Sequence, residues 1–231
     1  MASEASGQNR ITAVLPKHRE LFYAGSWRAP VSGGRFEVSN PSTGESLGEV
    51  SEAGPEDVEQ AVRAAHEAFA SWRRTAPLER AAKLRETARR IRANIAELAL
   101  LDSADCGNPV RAMTGDVNVA AAFLDYFAGL VTEMKGETIP MGPGVVNYTM
   151  REPLGVVVRI VPFNHPIMFA AMKIAAPLAA GNTVIMKPPE QTPLSALRLA
   201  ELLEDLYPPG VLSILNGRRT TGAALAAHPL V

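Results

Sequence analysis

Two segments of the chain carry polar side chains in settings rigid enough to hold them for chemistry. In Pro162-Phe163-Asn164-His165-Pro166 an amide stands between two prolines, directly after an apolar run. Its N–H bonds could be aimed at an oxyanion developing on a bound substrate, and an asparagine there could equally cap the helix that follows. In Lys187-Pro188-Pro189-Glu190 an ammonium and a carboxylate lie three residues apart around two prolines. A carboxylate accepts both protons of a vicinal diol such as that of a ribose and repels a phosphate in the same place. The same four residues also suit a solvated helix entrance.

The other reactive residue types are sparse. No readable spacing sets a carboxylate beside His165, which is therefore read as a structural neighbour of Asn164 rather than a base. His18, His66 and His228 are scattered and suggest no metal site. Cys106, in Asp105-Cys106-Gly107-Asn108, follows a surface-type helix and has no basic neighbour to lower its pKa, so it reads as structural. As the single cysteine it excludes an intrachain disulfide framework and makes a reducing cytoplasm the default compartment. Neither the G-x-G-x-x-G dinucleotide fingerprint nor a Lys-Ser/Thr phosphate loop is present.

These residues must be positioned by a folded scaffold, and the composition provides one. The 231 residues are 47% apolar and 20% charged, which is the make-up of a globular chain of one large or two ordinary domains. With 23 basic and 24 acidic residues the net charge is −1, too balanced for a polyanion-binding surface, so no nucleic-acid partner is expected. Residues 1–20 contain no unbroken apolar run and include Glu4 and Glu20, unlike a secretory signal, and read as a flexible lead-in. The most apolar stretch, Leu154 to Met186, is interrupted by Arg159, Asn164, Lys173 and prolines, so it reads as buried core and no membrane association is expected.

Residues 21–135 begin with short hairpin strands between turn residues such as Gly33-Gly34 and Asn40-Pro41. Three helices follow. The first starts at Gly54-Pro55-Glu56-Asp57 and repeats Val58, Ala61, Val62, Ala65, Phe69 and Trp72. The second runs through Leu84, Ala88, Ile91, Ile95 and Leu98 to Gly107, and the third from about Arg111 to Met134. Residues 136–155 hold a half-exposed strand between Gly144 and Glu152, and residues 156–231 alternate strands with helices. Val156 to Val161 is β-branched throughout apart from Arg159, as a strand covered on both faces would be; Thr183 to Met186 and Val211 to Leu215 are the next strands. Helices are expected over Met168–Ala180 and Ser195–Leu206 and after Gly222. This pattern predicts an α/β fold whose parallel strands open three turns onto one rim, where open sheets bind ligands. Those turns are Pro162 to Pro166, Lys187 to Glu190, and Asn216-Gly217-Arg218.

Taken together and in order, these segments resemble the N-terminal half of the aldehyde dehydrogenase superfamily. The likeness covers about residues 21–231 and rests on Gly25-Ser26-Trp27, Asn40 to Glu45, Gly107-Asn108-Pro109, Pro162 to Pro166, Pro177 to Asn182, Lys187 to Pro193, Pro208 to Val211 and the Gly222 helix entry. The resemblance implies a Rossmann-like sheet with a β-hairpin extension used in oligomerisation, and NAD(P)-dependent oxidation of an aldehyde through a thiohemiacetal on a catalytic cysteine. It makes Asn164 the oxyanion donor and gives Lys187 and Glu190 the adenine ribose. Ile160, Val161 and Pro162 would line the nicotinamide half of the cleft, with Gly217 and Gly222 also against the cofactor. Glu190 favours NAD; Arg218 and Arg219 could soften that preference toward NADP. Phe163 stands where many relatives carry Trp.

The likeness stops at His228-Pro229-Leu230-Val231, before the family's pyrophosphate-binding turn, general-base Glu and nucleophilic Cys, and Cys106 does not match that Cys. The chain alone is therefore expected to be inactive, with a homo-oligomer and aldehyde turnover belonging to a longer form. Two other readings stay open: a non-catalytic chain that binds dinucleotide or pairs with a complementary subunit, and a relative that reduces acyl phosphates or thioesters.

Overall fold

The computed structural model describes residues 10–231. Its strands are β1 (Leu21–Tyr23), β2 (Ser26–Arg28), β3 (Arg35–Ser39), β4 (Ser46–Ser51), β5 (Thr138–Pro140), β6 (Val146–Tyr148), β7 (Val156–Ile160), β8 (Thr183–Lys187) and β9 (Leu212–Ile214). Its helices are α1 (Pro55–Trp72), α2 (Pro77–Ala93), α3 (Ile95–Cys106), α4 (Val110–Gly129), α5 (Pro166–Ala179), α6 (Leu194–Leu203) and α7 (Arg219–Ala227).

A five-stranded sheet in the order β2-β1-β9-β8-β7 is the frame. β7, β8 and β9 are parallel, joined by the α5 and α6 crossovers, and the antiparallel β1–β2 hairpin extends the sheet beyond β9. Successive strand side chains point to opposite faces, so alternate residues of β8 enter two different cores. Ile185 packs with Val58, Ala61 and Val62 of α1 and Leu225 of α7. Val184 and Met186 join Ile174 and Leu178 of α5, Leu197 of α6 and the α2–α4 layer. β8 is buried at every residue because both faces and both edges are covered.

Several sequence expectations are corrected. The apolar run of β7 predicts a strand covered on both faces, but β7 is the sheet edge: Val157, Val158 and Arg159 are half-buried and Ile160 is 53% exposed. The second predicted helix is two helices, because Asn94 leaves helical geometry at φ −119° and ψ 24° and ends α2 before α3 starts. The third ends at Gly129 rather than Met134. Residues 1–9 of the expected lead-in lie outside the described residues; from residue 10 the chain is helical to residue 14, and Ile11, Val14 and Leu15 pack against the core. The half-exposed strand after Gly144 is β6, paired antiparallel with β5 in a separate hairpin.

Two carboxylates fix how α5 and α6 leave the sheet. Asp102 and Asp105 are three apart on α3, hence on one face, and both are buried. Asp102 Oδ2 accepts the Ile167 amide at 3.0 Å and Asp105 Oδ2 the Leu194 amide at 2.9 Å, so each serves a first-turn N–H that has no partner within its own helix. Among the described residues no helix is long and apolar enough to cross a membrane.

Candidate functional site

Parallel β7, β8 and β9 deliver their carboxyl ends to one rim, as the alternation of strands and helices predicts. Ile160 pairs with Lys187 in register, and the Val161 amide donates to the Lys187 carbonyl at 3.3 Å. The next loop closes onto the first: Thr192 Oγ1 donates to the Phe163 carbonyl at 3.3 Å. Phe163, Glu190, Gln191 and Thr192 share a groove of about 440 Å³ with Cys106 and the β3 strand.

Lys187 is buried to 4% exposure, yet its Nζ lies 3.7 Å from Oε2 of the half-exposed Glu190. Burial holds the ammonium below its usual pKa, opposed by the charges of Glu190 and Glu52. A buried cation and a solvent-facing carboxylate at this separation offer a donor and an acceptor to a vicinal diol. Arg218 is turned away toward Glu52, 3.8 Å distant, and lies over the Phe36 ring at 5.2 Å.

At the β7 end, Asn164 is exposed, and its side-chain amide makes no hydrogen bond with any described residue. It does not cap α5. His165 occupies the cap position, and the capping acceptor comes from Asp102 of α3. Contrary to the sequence reading, a carboxylate does stand beside His165: its Nδ1 donates to Asp116 Oδ2 at 2.6 Å, from a residue 49 positions away on α4. Asn108 Nδ2, from the turn between α3 and α4, donates to the Asn164 carbonyl at 2.8 Å. Sequence reasoning assigned neither Asn108, Asp116 nor Thr192 to the rim, and no local spacing could have done so, because each contact crosses between elements.

The remaining candidates divide. Ile160 and Gly222 face each other, a Cβ on Gly222 falling 3.7 Å from Ile160 Cδ1, and Pro162 is exposed beside them on the rim. Val161 is instead packed into the core. Gly217 is required by packing, since a Cβ there would lie 2.0 Å from Thr221 Oγ1. Helix α7 opens at Arg219, so Gly222 sits within its first turn rather than at its entrance as expected. Cys106 ends α3 half-buried, its thiol 3.7 Å from Met113 Sδ. Burial pushes its pKa up, the Asn108 amide opposes this, and Asp102, Asp105 and Asp116 push it further.

The aldehyde dehydrogenase family model matches residues 27–231. The chain belongs to the aldehyde dehydrogenase family. It is 52% identical over 225 residues to aldehyde dehydrogenase tropH of Talaromyces stipitatus, a match covering 96% of this chain and 44% of that protein. HpcC from Thermus thermophilus superimposes with a TM-score of 0.93 at 36% identity, covering 98% of this chain and 45% of that one. PnpE from Pseudomonas sp. WBC-3, solved in complex with nicotinamide adenine dinucleotide, gives a TM-score of 0.90 at 40% identity over 93% of this chain and 45% of its own. This aldehyde dehydrogenase chain thus spans less than half the length of the relatives it matches, and its α/β architecture is theirs.

Proposed function

We propose that this chain supplies the NAD-binding cleft and the oxyanion donor for oxidation of an aldehyde to a carboxylic acid. The observation that carries the reading is the convergence of Asn164, Lys187 and Glu190 on one rim of the parallel sheet. Glu190 accepts the two ribose hydroxyls and Lys187 donates to their oxygens. The same carboxylate disfavours a 2′-phosphate, which makes NAD the preferred dinucleotide and leaves NADP the weaker one. Ile160, Pro162, Gly217 and Gly222 bound the cleft between the first and third rim turns, with Val161 contributing from the core side. NAD, when bound, supplies the hydride acceptor.

Asn164 Nδ2 donates to the oxygen that gains charge as a thiolate adds to the aldehyde carbon. A donor whose backbone is held in place before the reaction has less reorganising to do at the moment of addition. The thiolate must come from a residue other than Cys106, whose surroundings oppose ionisation, so residues 1–231 by themselves are expected to show no aldehyde oxidation. The exposed apolar β5–β6 hairpin fits a contact between copies in a homo-oligomer.

The test is Asn164→Ala in the intact gene product, assayed by NADH formation. Loss of about 10²–10³-fold in kcat, with little change in KM for NAD, is expected; an unchanged kcat refutes the assignment of Asn164.

A further inference from the structure

The rim segment that carries Asn164 belongs to no strand or helix, so regular backbone pairing does not fix it. Other elements hold it instead, one side chain at a time. Thr192 Oγ1, from the turn before α6, donates to the carbonyl of Phe163, and Asn108 Nδ2, from the turn between α3 and α4, donates to the carbonyl of Asn164. These two carbonyls belong to the peptide groups on either side of the Asn164 Cα. Each peptide group is planar and rigid, so restraining both leaves φ and ψ of Asn164 little freedom and sets the direction of its Cα–Cβ bond. The next residue is anchored as well, by the His165–Asp116 hydrogen bond and the edge contact of the His165 ring on Phe169.

The donor turn of Asn108 is itself set by close packing. Gly107 ends α3 in the left-handed region at φ +79°, and a Cβ there would lie 3.0 Å from Pro41 Cγ. Thr192 is 2% exposed, so its hydroxyl has little water to turn to in place of the Phe163 carbonyl.

We propose that Asn108 and Thr192 are positioning residues that pin the two peptide planes flanking Asn164 and so aim its side-chain amide at the reacting oxygen. The proposal rests on Asn164 being the oxyanion donor. Both act through the backbone of Asn164, each donating to a carbonyl that flanks its Cα.

Two isosteric variants remove one donor each: Asn108→Asp and Thr192→Val. Backbone 15N relaxation on the protein reads the pinned planes directly, because the Asn164 and His165 amides lie in them. Order parameters of about 0.85 are expected for the parent and values below about 0.6 for the double variant, with Thr192→Ser restored to the parent value because it keeps the hydroxyl. In the intact gene product each variant should lower kcat about 10–100-fold, as misplacement of a reacting group by about 1 Å does, and shift KM for NAD less than about 2-fold. The proposal is overturned if both amides stay rigid in the double variant. It is also overturned if they loosen and kcat holds while Asn164→Ala still lowers it. If Asn164→Ala itself leaves kcat unchanged, the oxyanion reading fails and the pinning of the loop is judged on the order parameters alone.

Discussion

A thiolate at Cys106 would form half-buried, with Asp102, Asp105 and Asp116 nearby and its sulfur 3.7 Å from Met113 Sδ. Burial and the neighbouring Asp102, Asp105 and Asp116 outweigh the opposing Asn108 amide and hold the thiol above its usual pKa, so at pH 7–8 it stays protonated and reacts slowly. Alkylation by iodoacetamide, followed by mass, should run at least about 10-fold slower than for an unstructured cysteine thiol. Glu190 is a solvent-facing carboxylate whose Oε2 lies 3.7 Å from the buried Lys187 ammonium. Glu190→Gln keeps the shape and removes the charge that repels a 2′-phosphate. Calorimetric titration of the intact gene product should show NAD binding weakened about 10-fold and the preference over NADP narrowed, consistent with loss of a charge-assisted hydrogen-bond pair.

Helices α5 and α6 are launched from the sheet at angles set by α3, whose two buried aspartates take one first-turn amide from each. Burial raises the Asp102 carboxyl to about 7 against the opposing Ile167 amide, and raises Asp105 well above the ordinary carboxylate range. Native Asp102 therefore keeps its proton to a higher pH than it does in the unfolded chain. Between about pH 4 and pH 7 the native state therefore holds the Asp102 proton more tightly than the unfolded chain does, and the contribution of this group to stability falls as pH rises through that window. Asp102→Asn retains the acceptor for Ile167 and cannot ionise. It should flatten the decline by an amount of the order of 2–4 kcal/mol, read as the pH dependence of the urea midpoint; a slope identical to the parent's would mean that Asp102 does not titrate there.

The molecule as a whole leaves apolar side chains exposed at the sheet edge and on the separate β5–β6 hairpin. β7 ends the sheet with Ile160 half out, Leu154 before it is 93% exposed, and the β5–β6 hairpin presents Val146 at 81% and Tyr148 at 61%. An edge strand bordered by such residues is a template for association. Sedimentation velocity at micromolar concentration should show residues 1–231 as dimers or larger, shifted toward monomer by Val146→Lys with Leu154→Lys, which add two charges without touching either core. A parent chain that sediments as a monomer would remove the self-association reading.

The alternation of strands and helices after residue 155, its parallel sheet and the placing of Asn164, Lys187 and Glu190 in the turns after β7 and β8 were legible in the sequence. Those properties are local: a β-branched run, a 3.6-residue apolar period and proline-bounded polar segments each act within a dozen residues. The family likeness came from the order of short motifs along the chain, which needs no coordinates. What the tertiary structure alone decided is how the rim is held and what surrounds each group. The pairing of His165 with Asp116, the grip of Asn108 and Thr192 on the loop, the capping of α5 by Asp102 and the edge position of β7 link residues tens of positions apart. No spacing rule encodes such contacts, because they exist only once independent elements have packed and each buried polar group has found a partner on a neighbouring element.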